Sequence, residues 1–333
     1  MADASKVVLV TGGAGYIGSH TCKALSQCGY LPVTFDNLST GHAEAVKWGP
    51  LHHGDVRDVR LLAQVLGETK AVAVMHFAAS AYVGESMTDP QKYYRNNVTG
   101  MTALLDAIAL AGVEALVFSS SCATYGEPGV SEIDEDTAQV PINPYGRTKL
   151  ICEQMILDYA RAHPLQYATL RYFNAAGADL AAELVEDHDP ETHLIPCVLN
   201  AALGVTKEFR IFGDDYATPD GTCIRDFIHV SDLAEGHTLA LEHLLGGGES
   251  LTLNLGTGQG SSIFDVIAAC EASIGHTIPQ RVVAGREGDP AVLVANSQRA
   301  RKLIGFTPSR SDLPTIVSSA LNALRQMHGV TPA

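Results

Sequence analysis

Short apolar runs alternate with helical patterns along the first half of the chain. The apolar runs predict buried β-strands at residues 6–11, 31–36, 71–78, 115–121 and 167–173. Apolar side chains at helical spacing predict helices between them, at residues 16–29, 90–112 and 143–163. Glycine ends the first two helices, and Pro164 follows the third. Strands that alternate with helices in this way predict an α/β fold built on a doubly wound parallel sheet.

The pattern changes after residue 175. Polar loops occupy residues 183–192 and 213–222, and the apolar segments between them are shorter and less regular. We therefore expect two domains, residues 1–175 and residues 176–333, of which the second is a smaller C-terminal substrate-binding lobe. Residues 226–250 are expected to return to the first domain and pack on it.

Composition and charge exclude several classes of protein. The chain has 333 residues, 46% of them hydrophobic, and a formal net charge of −15. A run of about 18 uncharged apolar residues is missing, so we expect no membrane span. Residues 1–6 show no basic start and lead into an apolar strand, so we expect no export signal. An acidic chain without a basic block is not typical of nucleic-acid binders.

Cysteine and histidine spacing argues against a metal or disulfide framework. The seven cysteines are an odd number, and none are spaced as CxxC. This pattern predicts small thiols in a reducing compartment, and hence a cytoplasmic protein. His52 and His53 are adjacent but lack further ligands at metal-binding spacing, so we expect no metal.

A glycine-rich turn follows the first predicted strand. Gly12, Gly15 and Gly18 form a GxxGxxG pattern between that strand and the next helix. Such glycines let the backbone approach a pyrophosphate, which the N–H groups and positive end of the helix attract. Asp36 ends the next strand, eighteen residues past Gly18, where a carboxylate accepts from ribose hydroxyls and repels a 2′-phosphate. These features predict a Rossmann domain that binds NAD, against the plainer interpretation of a tight βα turn.

Three residues suggest acid–base chemistry. Asn143 and Pro144 are favourable first residues for the helix at 143–163, so Tyr145 and Lys149 lie four residues apart on one face of its first turns. A tyrosine normally titrates near ~10, but an ammonium, the helix end and an oxidised nicotinamide all favour its phenolate. Ser121, after a predicted strand, would donate to the reacting oxygen. The alternative is an exposed Tyr–Lys pair without a catalytic role.

The motifs TGGAGYIG, DNLSTG, HFAA, YYRNNV, FSSS, YGRTK and RYFN resemble the extended short-chain dehydrogenase/reductase family. AYVGES, SSSCATYGEP, PINPYGRTK, LRYFNAAG, DGTCIRDFIHVSDLA, NLGTG and REGDPAVLVA are similar to motifs of the UDP-glucose 4-epimerase branch. The resemblance runs from about Val7 to about Ser309.

The resemblance implies roles for the matching residues. Cofactor contacts are implied for Gly12, Gly15, Tyr16, Ile17, Gly18, Asp36, Asn37, Asp55, Val56, Phe77, Asn97, Tyr145, Lys149 and Tyr172. Substrate contacts are implied for Ser121, Tyr145, Asn174, His193, Leu194, Phe212, Arg225, Arg286, Asp289 and Leu293. Some relatives have Tyr at the position of Leu293, and others have Cys or Ser. The resemblance implies that the size of this side chain limits the substituent that fits at C2 of the sugar.

The implied reaction interconverts UDP-glucose and UDP-galactose. The sugar is oxidised at C4 by NAD, turns over as a 4-keto intermediate, and is reduced again on its other face. UDP-pentoses, UDP-N-acetylhexosamines, a different reaction of the same family and an inactive NAD-binding protein remain alternatives. The resemblance also implies a homodimer formed through the helices at 90–112 and 143–163.

Overall fold

The computed structural model of the protein describes residues 5–285 and 289–329. The β-strands are β1 Val7–Thr11, β2 Leu31–Asp36, β3 Leu51–His53, β4 Ala73–His76, β5 Ala115–Ser119, β6 Gln166–Tyr172, β7 Asn174–Ala176, β8 Phe209–Phe212, β9 Ile224–His229, β10 Leu251–Leu255, β11 Gly260–Ser262, β12 Gln280–Val283 and β13 Val292–Leu293.

The helices are α1 Tyr16–Gln27, α2 Val59–Thr69, α3 Val83–Thr88, α4 Pro90–Tyr93, α5 Thr99–Ala111, α6 Pro144–Ala162, α7 Leu194–Ala202, α8 Val230–Leu245, α9 Ile263–Ile274, α10 Gln298–Ile304 and α11 Leu313–His328. Single 3₁₀ turns occupy Ala43–Ala45 and Cys122–Thr124. A π-helical segment, Tyr94–Val98, joins α4 to α5.

The predicted doubly wound parallel sheet is confirmed. Among the described residues, seven strands form it in the order β10-β6-β5-β4-β1-β2-β3, and every pairing is parallel. Strand order reverses at β1, which lies between β2 and β4. Ligands of such sheets bind beyond the carboxyl ends of the strands at this reversal.

Apolar side chains point to both faces of the sheet, as its buried position requires. On one face, Val8 and Val10 of β1 pack with residues of α1, α8 and α10. On the other face, Leu9 packs with residues of α2, α5 and α6. The alternation along β1 therefore separates two hydrophobic layers, and the sheet is held between them.

The C-terminal half forms a second group of elements. β7, β9, β11 and β13 make a small sheet, and β8 pairs with β12. A separate core cluster, which includes Ile195, Phe209, Val266 and Ile316, joins α7, α9 and α11. β7 includes residue 175, where we placed the domain boundary. That boundary stays a prediction.

Several elements differ from the predictions. α8 packs on α1, as expected for residues 226–250, but residues 224–229 are strand β9 in the small sheet. β10 then adds an unpredicted seventh strand to the central sheet beside β6. β3 and α2 were not predicted either. The helix predicted at 90–112 is continuous only through the π-helical segment, and the strand predicted at 115–121 ends at Ser119.

The glycine turn is closely packed against its surroundings. Gly12 has a φ of +72°, and a Cβ there would lie 2.5 Å from the backbone nitrogen of Ala78. A Cβ on Gly18 would lie 2.1 Å from the carbonyl oxygen of Gly12. Gly15, in contrast, would place its Cβ no closer than 3.4 Å to that oxygen. Gly12 and Gly18 thus hold the turn closed, and Gly15 keeps its outer side open.

We predict opposite effects for two glycine-to-alanine changes. Gly18→Ala forces backbone apart and should lower the free energy of unfolding by about 1–3 kcal/mol, with weaker cofactor retention. Gly67→Ala, on the exposed side of α2 with nothing within 4 Å of the new Cβ, should raise it by roughly 0.5–1 kcal/mol. Urea unfolding followed by circular dichroism measures both. A Gly18→Ala protein as stable as the wild type would contradict the packing argument.

Candidate active site

The glycine turn and α1 form a cradle suited to a pyrophosphate. Within the described part of the chain, no side chain caps α1, whose N-cap is Gly15. The amide groups of its first turn are therefore available to an anionic group, which the helix dipole also favours. Tyr16 starts this helix, and its hydroxyl donates to the carbonyl oxygen of Gly177 at 2.6 Å. Ile17 packs against the core beneath it.

Asp36 is held in place at the end of β2. Its carboxylate accepts from the amides of Ala14 at 3.0 Å and Leu38 at 2.8 Å, one on each oxygen. These bonds orient the carboxylate and tie it to the glycine turn. The remaining lone pairs can accept ribose hydroxyls, which is the role predicted for Asp36.

The predicted adenine side lies at the end of β3. Asn37 donates to Asp55 at 3.5 Å, and Val56 is buried beside α5. Arg57 clamps Asp55 with two side-chain hydrogen bonds of 2.8 and 2.6 Å. These bonds lower the pKa of Asp55 to about 2, so the carboxylate is charged at neutral pH. Sequence reasoning missed Arg57, although it follows Asp55 by only two residues.

The start of α6 carries the predicted catalytic pair. Asn143 caps the helix, with its Oδ1 accepting from the amide of Gly146 at 2.8 Å, and Pro144 occupies the first turn as predicted. A Cβ on Gly146 would lie 2.2 Å from the carbonyl oxygen of Ala123. This close approach brings α6 against the 3₁₀ turn that follows Ser121. Tyr145 and Lys149 therefore face the ends of β5 and β6.

Lys149 is a buried cation without a carboxylate among its hydrogen-bond partners in the described residues. Lys149 is only 3% exposed, and its Nζ donates to the carbonyl oxygen of Ser119 at 2.7 Å. Nζ also lies 5.0 Å from the ring centre of Phe118 and 6.0 Å from that of Tyr145. Burial lowers the pKa of Lys149 to about 8. The ammonium form is retained near neutral pH and faces the Tyr145 ring.

Tyr145 and Ser121 form the predicted proton-transfer pair. Tyr145 is 7% exposed, and burial raises its pKa well above the ordinary value, while a hydrogen bond with the Ser121 side chain acts in the opposite direction. Ser121 is the N-cap of the 3₁₀ turn, and its Oγ accepts from the amide of Ala123 at 3.1 Å. The serine hydroxyl is therefore fixed by the backbone. Burial alone disfavours the phenolate, so additional positive charge is needed to form it.

Three further predicted cofactor residues surround this pair. Tyr172 accepts from the Ser119 hydroxyl at 3.1 Å, and its ring and that of Phe77 both lie against the ring of His237. Asn97 lies in the π-helical segment and bonds the backbone of Ser80 and the Thr148 hydroxyl. Asn97 thus joins the loop after β4 to α6. Its predicted cofactor contact stays a prediction.

The small sheet presents the predicted substrate residues from the C-terminal half. Arg225 pairs with Asp289 and lies directly beside Leu293 in the sheet register. Leu293 packs with Cys122, Tyr125 and other buried residues next to the 3₁₀ turn that follows Ser121. Asn174 lies in β7, opposite Phe227 of β9, and Phe212 ends β8. Arg286 lies outside the described residues.

His193 and Leu194 lie at the start of α7. His193 is the N-cap, but its Nδ1 faces Oε1 of Glu186 at 2.6 Å. Burial opposes the charged form of His193, yet the carboxylates of Glu186 and Glu191 outweigh it and raise its pKa. Leu194 packs partly into the core of the C-terminal half. Nδ1 of His193 therefore already faces a carboxylate. The predicted substrate contact of His193 would have to be made by the rest of the side chain.

A buried polar network behind the site was not predicted. Ser120 donates to Glu153, which pairs with Arg171 at 2.7 Å. Arg171 also donates to the hydroxyl of Tyr125 at 2.9 Å, and that hydroxyl donates to Asn254 of β10 at 2.7 Å. Arg171 could have been noticed because it is a charge inside a predicted buried strand. Its partner, eighteen residues away on α6, carries no comparable sequence signal.

Comparison with known proteins places these features in a family. A sequence model described as the NAD dependent epimerase/dehydratase family matches residues 8–256. The chain belongs to this family. It is 52% identical over 317 residues to UDP-glucose 4-epimerase of Rhizobium leguminosarum bv. trifolii, covering 95% of this chain and 97% of the relative.

Two solved structures of family members are also very similar. UDP-glucose 4-epimerase from Brucella ovis in complex with NAD gives a TM-score of 0.93 at 54% identity, covering 96% of this chain and 98% of the other. The enzyme from Stenotrophomonas maltophila, with bound NAD and formylated UDP-arabinopyranose, gives 0.94 at 41% identity, covering 98% and 100%. The predicted family resemblance, Rossmann fold and NAD dependence are confirmed.

Among residues 5–285 and 289–329, none of the helices combines the length and the apolar character needed to cross a bilayer.

Proposed function

We propose that this chain is an NAD-dependent UDP-glucose 4-epimerase, an isomerase that interconverts UDP-glucose and UDP-galactose. The observation that carries this proposal is the buried Lys149 ammonium 6.0 Å from the ring centre of Tyr145, with the Ser121 side chain acting on the same phenol. These three groups lie at the carboxyl ends of the sheet strands, where doubly wound folds bind their cofactors. About 50% identity to UDP-glucose 4-epimerases over nearly the whole chain supports the choice of reaction.

In this proposal, each catalytic side chain has a distinct task. NAD, when bound, supplies the hydride acceptor and donor and adds positive charge near the phenol. Tyr145 removes the proton of the sugar C4 hydroxyl and returns it later. Ser121, held by the Ala123 amide, hydrogen-bonds the same sugar oxygen. Lys149 stabilises the phenolate electrostatically, because solvent screens the charge of an ammonium only weakly at this depth.

Binding of the UDP moiety is proposed for the residues of the C-terminal half. Arg225 is a buried guanidinium beside the site, and a guanidinium fork matches a diphosphate well. Asp289 holds Arg225 in position until the substrate competes for it. The further proposed contacts are Asn174, His193, Leu194, Phe212, Arg286 and Leu293.

Two alternative functions are less well supported. A UDP-pentose substrate has support from the Stenotrophomonas maltophila enzyme, which binds formylated UDP-arabinopyranose. Dehydratases and decarboxylases of this fold carry an acid directly after the serine-ended strand. Here Cys122–Thr124 forms the 3₁₀ turn after Ser121 and supplies no acid. An inactive NAD-binding protein would have no need for the Tyr145–Ser121 contact.

We also propose a cytoplasmic location and a homodimer. Burial raises the pKa of Cys22, Cys152 and Cys270 to about 12, so these thiols are inert core side chains suited to a reducing compartment. The outer side of α5 and α6 exposes Leu110 and Leu157, and a second copy packing there would cover them.

The reaction can be tested with purified protein and no added cofactor. We expect about one NAD or NADH per chain on acid extraction, and conversion of UDP-galactose to UDP-glucose at unchanged mass. Loss of water from the sugar would indicate a dehydratase, and loss of CO₂ from a UDP-uronic acid assayed in parallel would indicate a decarboxylase. An unchanged sugar configuration with bound NAD would indicate a binding protein. UDP-pentoses and UDP-N-acetylhexosamines, assayed alongside, establish the preferred substrate.

Replacing the proposed base should remove turnover without unfolding the protein. We expect Tyr145→Phe to lower kcat by about 10²–10⁴-fold, because general acid–base groups typically contribute that much. NAD content and UDP-sugar binding should be retained. Tyr159→Phe is the matched control, since Tyr159 lies on the same helix and packs on the α5 side of the core. A Tyr145→Phe enzyme with about half of the normal kcat would contradict the assignment.

Leu293 should limit the size of the substituent at sugar C2. It is 9% exposed and packs with Cys122 and Phe173, which adjoin Ser121 and Asn174. We expect Leu293→Ser to raise kcat/KM for UDP-N-acetylglucosamine relative to UDP-glucose, within the ~10–200-fold range that one apolar contact supplies. Leu303→Ser, at an exposed leucine of α10, is the control. An unaltered ratio in a folded, NAD-loaded variant would place specificity elsewhere.

A further inference from the structure

The segment between β7 and α7 gathers four side chains of the kind that bind metal ions. Glu186, His188, Glu191 and His193 each offer one ligand atom, and these atoms all lie within 4.8 Å of one another. Nδ1 of His193 lies 2.6 Å from Oε1 of Glu186 and 3.6 Å from Oε1 of Glu191. Nδ1 of His188 lies 3.7 Å from Oε1 of Glu186 and 3.5 Å from Oε2 of Glu191.

The central carboxylate of this cluster lacks the partners that its burial demands. Glu186 is 4% exposed, and among the described residues neither of its oxygens has a hydrogen bond of normal geometry. Nδ1 of His188 is unsatisfied in the same way. Even the 2.6 Å approach of His193 to Glu186 lacks hydrogen-bond alignment. Because an uncompensated buried charge is strongly destabilising, these atoms call for a further positive centre.

The separations fit one tetrahedral metal ion. Ligand atoms at about 2.0–2.1 Å from Zn²⁺ lie about 3.3 Å from each other in a tetrahedral site. The separations given above of 3.5, 3.6 and 3.7 Å are close to that value, although the first two use different oxygens of Glu191. The 2.6 Å pair would open by about 0.7 Å, and the widest pairs, at up to 4.8 Å, would close by up to about 1.5 Å. We propose that Glu186, His188, Glu191 and His193 form a structural Zn²⁺ site.

The ligand set favours Zn²⁺ over the other common divalent ions. Imidazole nitrogens combined with carboxylates suit Zn²⁺, whereas Ca²⁺ and Mg²⁺ take oxygen ligands. Two carboxylates neutralise the charge of the ion. Four protein ligands leave no position for a reacting water or substrate, so the role is to hold the chain and not to catalyse.

The ion would fix the shape of the segment where it contacts the N-terminal half. The Tyr16 ring, at the start of α1, lies 6.1 Å from the His188 ring, and the Tyr82 ring lies 6.0 Å from it. These two rings cover the cluster from the side of the glycine turn. His193 would bind through Nδ1 and keep its Nε2 proton for another partner, as metal-bound histidines usually do. His193 is also a proposed nucleotide contact, so the ion and the substrate would use different nitrogens of this side chain.

The sequence predicted no metal, because the cysteines show no CxxC spacing and the pair His52 and His53 lacks further ligands at metal-binding spacing. Glu186, His188, Glu191 and His193 are spaced at i, i+2, i+5 and i+7 in a polar loop, which matches no regular helix or strand pattern. The fold of the loop brings them together.

Metal content and binding of Zn²⁺ alone test the proposal. The NAD-loaded protein is stripped with a chelator, dialysed, and titrated with Zn²⁺ by calorimetry, with metal measured by mass spectrometry. We expect saturation at one ion per chain, a rise in Tm, and the visible absorption of tetrahedral Co²⁺ when Co²⁺ replaces Zn²⁺. Absence of saturable binding to the stripped wild-type protein would overturn the proposal and leave a cluster of protonated histidines paired with carboxylates.

Variants separate this site from adventitious binding. Glu186→Gln and His188→Gln should weaken Zn²⁺ binding by more than the 10–100-fold typical of losing an outer-shell partner. Glu183→Gln, at an exposed carboxylate of the same segment outside the cluster, should bind like the wild type. Equal binding by all the variants would overturn the assignment. If a cluster variant fails to fold, the stoichiometry of the stripped wild-type protein still decides.

Discussion

The burial of the Lys149 ammonium next to the Tyr145 phenol is the constraint on which the site depends. A carboxylate bonded to Lys149 would stabilise the cation but cancel its field at Tyr145. The protein uses the Ser119 carbonyl and two aromatic rings instead. Glu153, one turn further along α6, is paired with Arg171. The buried Arg171–Glu153 pair therefore keeps the positive potential of Lys149 directed at Tyr145.

The parallel sheet explains why these groups meet. β1, β2, β5 and β6 all end at one edge, so the glycine turn, Asp36, Ser121 and Tyr172 share it without any special local sequence. The proposed substrate residues Arg225 and Leu293 come from the small sheet instead, where they are register neighbours. Two sheets thus face one site, one carrying the cofactor and proton-transfer groups and the other the proposed nucleotide contacts.

Local signals in the sequence predicted the local parts of this arrangement. The cap at Asn143, the ends of β1 and β2 and the glycine turn each depend on a few neighbouring residues, and the structure shows them where they were predicted. β10 was missed because its place beside β6 depends on pairing across about eighty residues. The pairing of Arg171 with Glu153 was missed because the acid lies on another element, although a charge in a buried strand could have drawn notice. Long-range pairing leaves no periodic pattern in a single sequence.

The segment between β7 and α7 has a physical importance that its polar composition hides. It carries His193, which begins α7, and it rests on Tyr16 and Tyr82 beside the cofactor cradle. Its buried Glu186 has no hydrogen bond of normal geometry among the described residues. A loop of this kind would have no fixed conformation if only solvent surrounded its charges. Gathering two carboxylates and two imidazoles around one point instead gives the loop a fixed shape, and that shape sets where α7 meets the site.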